Sequence, residues 1–70
     1  MTKNERIESF NRLDGLVKER GTTFYAIAKT LKLPKSLFSD WKSGKSAPKA
    51  DKMLAIAEHL GSSIQYILFG

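Results

Sequence analysis

Seventy residues without a cysteine make one domain, held by an apolar core rather than by disulfides or a thiolate-bound metal. No apolar run approaches the ~20 residues that span a membrane, and the polar start MTKNERIESFNR shows no signal peptide, so a cytoplasmic protein is expected. The net charge of +5 sits in the middle, where residues 22–49 carry six lysines against Asp40 alone, which suggests a polyanionic partner at one site.

Sustained period-2 alternation is missing, and the chain reads as five short helices. The first runs from about residue 4 to Arg20, with Ile7, Phe10, Leu13, Leu16 and Val17 inward, and Gly21 stops it. Gly15 costs ~1 kcal/mol against alanine there, unless a neighbour packs close. Glu8–Arg12 and Asp14–Lys18 are spaced for i, i+4 ion pairs on the wet face. The second helix, Phe24 to Leu31, is capped by Thr23 and turns Phe24, Ile27, Ala28 and Leu31 inward. The third starts at Pro34 or Lys35 and ends at Gly44. The fourth covers about Lys49 to Leu60, with Ala50, Met53, Leu54, Ala57 and Leu60 inward and Gly61 as its stop. The fifth opens at a Ser62-x-x-Gln65 capping box and buries Ile64, Ile67 and Leu68.

The third helix, within PKSLFSDWKSG, is the unusual one. Leu37, Phe38 and Trp41 share its apolar side. Ser36, Ser39 and Ser43 line the other, between Lys35 and Asp40, although serine is a poor helix former. Only Lys32 and Leu33 separate it from the second helix, too short a link for a long antiparallel hairpin. That spacing suits a helix-turn-helix, in which the second helix of the pair enters the major groove and the first crosses the phosphate backbone. Ala28 would let the two cross closely. On this reading the hydroxyls face base edges, and Lys35 donates to guanine O6 and N7. Asp40 either accepts from cytosine N4 or pairs with a neighbouring lysine. The lysines either seat this face on phosphates or simply solubilise the surface.

ERGTT and IAKTL at the second helix, SLFSDW in the third, SGKSAP after it and LAIAEHLGSSIQYIL at the end resemble the lambda-repressor-like family, the Cro/Xre-type helix-turn-helix regulators. The resemblance runs from Lys18 to Leu68. It implies an all-α, compact five-helix domain over residues 1–70, with the helix-turn-helix at about 23–43. It also implies binding to double-stranded operator DNA, usually as a two-fold dimer. Carried onto this chain, Thr23, Phe24 and Tyr25 fall at one phosphate contact. Lys35, Ser36, Ser39 and Asp40 fall at the base-reading positions, and Ser43, Gly44 and Lys45 at a second phosphate clamp. Three positions depart from the family pattern. Phe24 replaces a usual glutamine, so its side chain reads as core rather than as a phosphate contact, with the Tyr25 hydroxyl as the substitute donor. Lys32 replaces a frequent turn glycine, so either it takes a left-handed backbone or the turn differs. Pro34 replaces a usual serine or threonine cap. Longer members of the family continue into a second domain, so Gly70 need not be the natural end.

Little supports catalysis. His59 is the only histidine, sits where the helix dipole favours it, and is placed to activate none of the serines. No glycine-rich phosphate loop or metal-ligand cluster is seen, so no cofactor and no small-molecule substrate are expected. Trp41 reads as core rather than as a stacking platform. Tyr66 and Phe69 share a side of the fifth helix away from Ile64 and Leu68; either they form a homodimer interface that spaces two recognition helices by ~34 Å, or they merely cover a small core. The leading expectation is a sequence-specific regulator, a phage or bacterial repressor associated with the nucleoid. The alternative is a protein-interaction module, such as the antitoxin of a toxin–antitoxin pair.

Overall fold

The computed structural model describes residues 1–70. It contains α1 (Lys3–Glu19), α2 (Phe24–Leu31), α3 (Ser36–Lys42), α4 (Ala50–His59) and α5 (Ile64–Phe69), and no strand. This is the all-α, five-helix fold expected. α1 packs along α5 and α3, α2 on α4, and α4 on α5, within 28 × 23 × 21 Å. One core joins all five: Phe10, Leu13, Leu16 and Val17 of α1 meet Ile27, Phe38, Trp41, Met53, Ile56, Ala57, Leu60 and Ile67.

The first four helices end alike. Each is followed by a residue with left-handed backbone, and the next N–H bonds five residues back: Thr22 to Val17 O, Leu33 to Ala28 O, Lys45 to Asp40 O and Ser62 to Ala57 O. This arrangement satisfies carbonyls that a helix end leaves free. The left-handed residues are Gly21, Lys32, Gly44 and Gly61. Lys32, at φ 55 and ψ 47, is the one with a side chain, and it bears a cost of about 1 kcal/mol. Leu33, assigned no role from the sequence, is buried as the apolar residue that commonly closes such an end.

Three arginines of α1 and its cap tie these ends together. Arg6 Nε donates to Gly44 O at 2.7 Å, and Arg20 Nε to Leu60 O at 2.9 Å. Arg12 Nε donates to Ile67 O at 2.9 Å, and its Nη2 to Leu68 O. Arg12 therefore does not pair with Glu8, because the free carbonyls in the last turn of α5 offer a better site for its planar fork. The Asp14–Lys18 pair does form, at 3.0 Å. Arginine is spent on the scaffold, and the cations left facing water in the middle of the chain are all lysines.

Several details differ from the sequence reading. The capping residue of α5 is Ser63, which accepts from the Tyr66 N–H at 3.1 Å; Ser62 belongs to the turn. A full capping box stands instead at Thr2 and Glu5 on α1. The Thr2 backbone N–H, then its hydroxyl group, holds the exposed Glu5 carboxyl below its ordinary pKa. On α4 the inner stripe is Met53, Ile56, Ala57 and Leu60, at i, i+3, i+4 and i+7, while Ala50 and Leu54 face outward. The apolar pair Ala50 and Leu54 mimics helical spacing, but Ile56, which the sequence reading left out, takes the inner position.

Gly15 meets nothing within 4 Å of a built-in Cβ and lies mid-helix on an exposed face. No close neighbour requires it. Gly15→Ala should therefore stabilise the fold by about 0.5–1 kcal/mol, read as a rise of roughly 2–8 °C in Tm by circular dichroism.

Candidate nucleic-acid interface

α3 is short, and its N-cap residue is Lys35, one place beyond Pro34, with no side-chain cap; Pro34 O accepts from the Leu37 N–H at 3.2 Å. What orients it is its inner face. Trp41 is fully buried, and its indole N–H donates to Ser9 Oγ at 2.8 Å, while the Ser9 hydroxyl donates to Arg6 O at 2.7 Å. Phe38 is buried against Phe24, with ring centroids 4.9 Å apart. With Phe38 and Trp41 pointing in, Ser36, Ser39 and Ser43 point out, and all three are exposed.

Two of these hydroxyls are already engaged. Ser39 donates to Ser36 O at 3.2 Å and Ser43 to Asp40 O at 3.0 Å. Bonding one turn back lets serine sit in a helix while its oxygen lone pairs still face outward. Asp40 is half-buried, and its carboxylate has neither an ion pair nor a hydrogen bond. The expected alternative of a lysine partner for it is not formed.

Lys29, Lys32, Lys35, Lys42, Lys45 and Lys49, from α2 through the loop after α3, are all exposed. The molecule's two ion pairs, Asp14–Lys18 and Glu19–Arg20, lie on α1 and its cap, so none of the six is neutralised by a carboxylate. Lys29 and Lys35 line a groove of about 580 Å³ between α2 and α3, with Tyr25 on its rim and Phe24, Ala28, Leu33 and Phe38 along its floor.

The remaining expected contacts divide. Thr23 caps α2 by accepting from the Ala26 N–H at 3.1 Å, which leaves its hydroxyl proton free. Tyr25 is 72% exposed. Phe24 is stacked on Phe10 at 5.0 Å, so its side chain serves the core and only its backbone N–H, which has no internal partner, can meet a phosphate. Gly44, expected at the second phosphate clamp, has no free N–H to offer there. It is buried, its N–H is bonded to Trp41 O, and a Cβ there would lie 2.7 Å from Lys3 Cγ and 3.0 Å from Ile7 Cγ1. Glycine is needed at this point for a φ of 79° and for the close approach of α1. On α5, Tyr66 and Phe69 are 44% and 77% exposed. Phe69 is not fully apart from Ile64 and Leu68, since all three border one groove with Met1, Ala47 and Pro48.

Two helices joined at a four-residue corner, the second showing a polar face within a field of unpaired lysines, define a helix-turn-helix domain of the DNA-binding kind. The family model of the bacteriophage CI repressor helix-turn-helix domain matches residues 12–70, and the chain belongs to that family. This bears out the lambda-repressor-like resemblance and makes the domain a DNA-binding, repressor-type regulator of a non-enzymatic family. Comparison with curated proteins and with solved structures gave no match. No helix is long and apolar enough to cross a membrane.

Proposed function

We propose that this domain binds a specific double-stranded operator as a phage or bacterial repressor, in the cytoplasm and on the nucleoid. α3 lies in the major groove and the start of α2 crosses the backbone. The observation that supports this best is the half-buried Asp40 carboxylate on α3, which pairs with none of the chain's exposed lysines. An anion so placed repels phosphate, and a cytosine N4 donor in the groove compensates it. Lys35, Ser36, Ser39 and Asp40 read bases. The Thr23 hydroxyl, the Phe24 and Tyr25 backbone N–H groups, Ser43 and Lys45 hold phosphates, and Gly44 shapes the loop that presents Lys45. Two copies meet through Tyr66 and Phe69 of α5, which sets the half-site spacing at about one DNA turn, ~34 Å.

Selection of bound sequences from a random DNA pool tests this directly. A two-fold symmetric site with half-sites about one turn apart is expected. Recovery of no sequence preference would remove the specific reading and favour a protein-interaction module. On the selected duplex, Lys45→Ala should weaken binding to all sequences alike and lower the salt slope by about one. Asp40→Ala should instead change the preferred base at one position per half-site. An unchanged preference would strip Asp40 of its role as a reader.

A further inference from the structure

The corner between α2 and α3 carries an anomaly at Lys32. Four helices end with the same left-handed residue and the same five-back hydrogen bond, and three of those residues are glycine. Only glycine takes that backbone without a steric cost. Lys32 also sits in unfavourable electrostatic company. Lys29 and Lys35 stand three residues to either side, and no acid occurs between Glu19 and Asp40. Like charges so spaced repel, and no carboxylate in the fold relieves them.

Nothing inside the domain rewards a lysine here. Its side chain is exposed and makes neither a hydrogen bond nor an ion pair. The negative end of α2 already has Lys29 in its last turn. Strain and repulsion at one exposed residue point to a ligand outside the chain. Lys29 and Lys35, its cationic neighbours in sequence, border the groove between the two helices of the motif.

We propose that Lys32 contacts a DNA phosphate, making the corner itself, and not only the starts of α2 and α3, part of the binding surface. This rests on the reading of the domain as a DNA-binding module. The ligand is the phosphodiester backbone, so the contact adds affinity for every sequence and no base preference.

Lys32→Gly separates the two consequences, because it removes the ammonium and the strain together. Thermal unfolding should show Tm raised by roughly 4 °C. Fluorescence anisotropy with a labelled mixed-sequence 30-base-pair duplex should show affinity reduced about eightfold near 0.1 M salt, with the salt slope lower by about one. Lys32→Arg keeps the charge and should keep the wild-type slope. A Lys32→Gly protein that binds with wild-type affinity and slope overturns the contact while leaving the DNA-binding reading intact. A wild-type protein that binds no duplex at any salt concentration overturns both.

Discussion

Trp41→Ala should remove at least roughly a third of the protein's stability at 25 °C. The indole is wholly buried, meets the Phe10 ring edge-on at 5.9 Å and donates to Ser9. Truncating a buried tryptophan costs ~3–5 kcal/mol, and a chain of this length has a total stability of only about 3.5–10 kcal/mol. The hydrogen-bond share can be isolated. Ser9→Ala strands a buried N–H, which costs ~1–3 kcal/mol by the desolvation of that donor. In a Trp41→Phe background there is no indole N–H to strand, so Ser9→Ala should cost about 1 kcal/mol less. Urea unfolding of the four proteins measures the coupling. A coupling near zero would mean that the bond between α1 and α3 adds nothing, and that shape alone sets the orientation of α3.

The sequence announces helices where local chemistry decides them. Gly21, Gly44 and Gly61 mark three ends because the left-handed turn that finishes a helix favours glycine, and the same turn at Lys32 was legible only as an alternative. The helix-turn-helix was legible because Phe38 and Trp41 on one side of α3 leave the serines on the other. What stayed hidden depends on groups far apart in the chain. Arg6, Arg12 and Arg20 look like wet-face charges, and only tertiary structure brings carbonyls 38 to 56 residues away within their reach. Nothing local in the sequence marks Ser9, which is buried where a tryptophan 32 residues later needs an acceptor. Gly44 reads as a loop residue near phosphate, but the packing of Lys3 and Ile7 over it encloses it. In the interface the residue types and their face were readable. Which donors remain free was not, because that depends on internal bonds such as those of Gly44 and Thr23.

Ser39→Glu should abolish specific DNA binding while the fold persists. Ser39 is exposed, its side chain's only bond is to Ser36 O, and glutamate favours helix slightly more than serine. Tm should therefore hold or rise. In the proposed complex the new carboxylate stands beside Asp40, against a groove whose guanine and thymine edges present acceptors and whose walls are phosphate. Two anions then share one face, and at most one finds a cytosine or adenine amino group. A buried, unpaired charge together with phosphate repulsion costs about 2–4 kcal/mol, or roughly 30- to 1000-fold in affinity. Ser39→Ala gives the contrast, since it deletes one neutral contact worth about 0.5–1.5 kcal/mol and adds no repulsion. Anisotropy titrations of both variants against the selected duplex, beside thermal melts, decide the matter. If the glutamate variant melts as the wild type does and binds as tightly, the serine face is turned away from DNA, and the lysines alone must account for whatever binding remains.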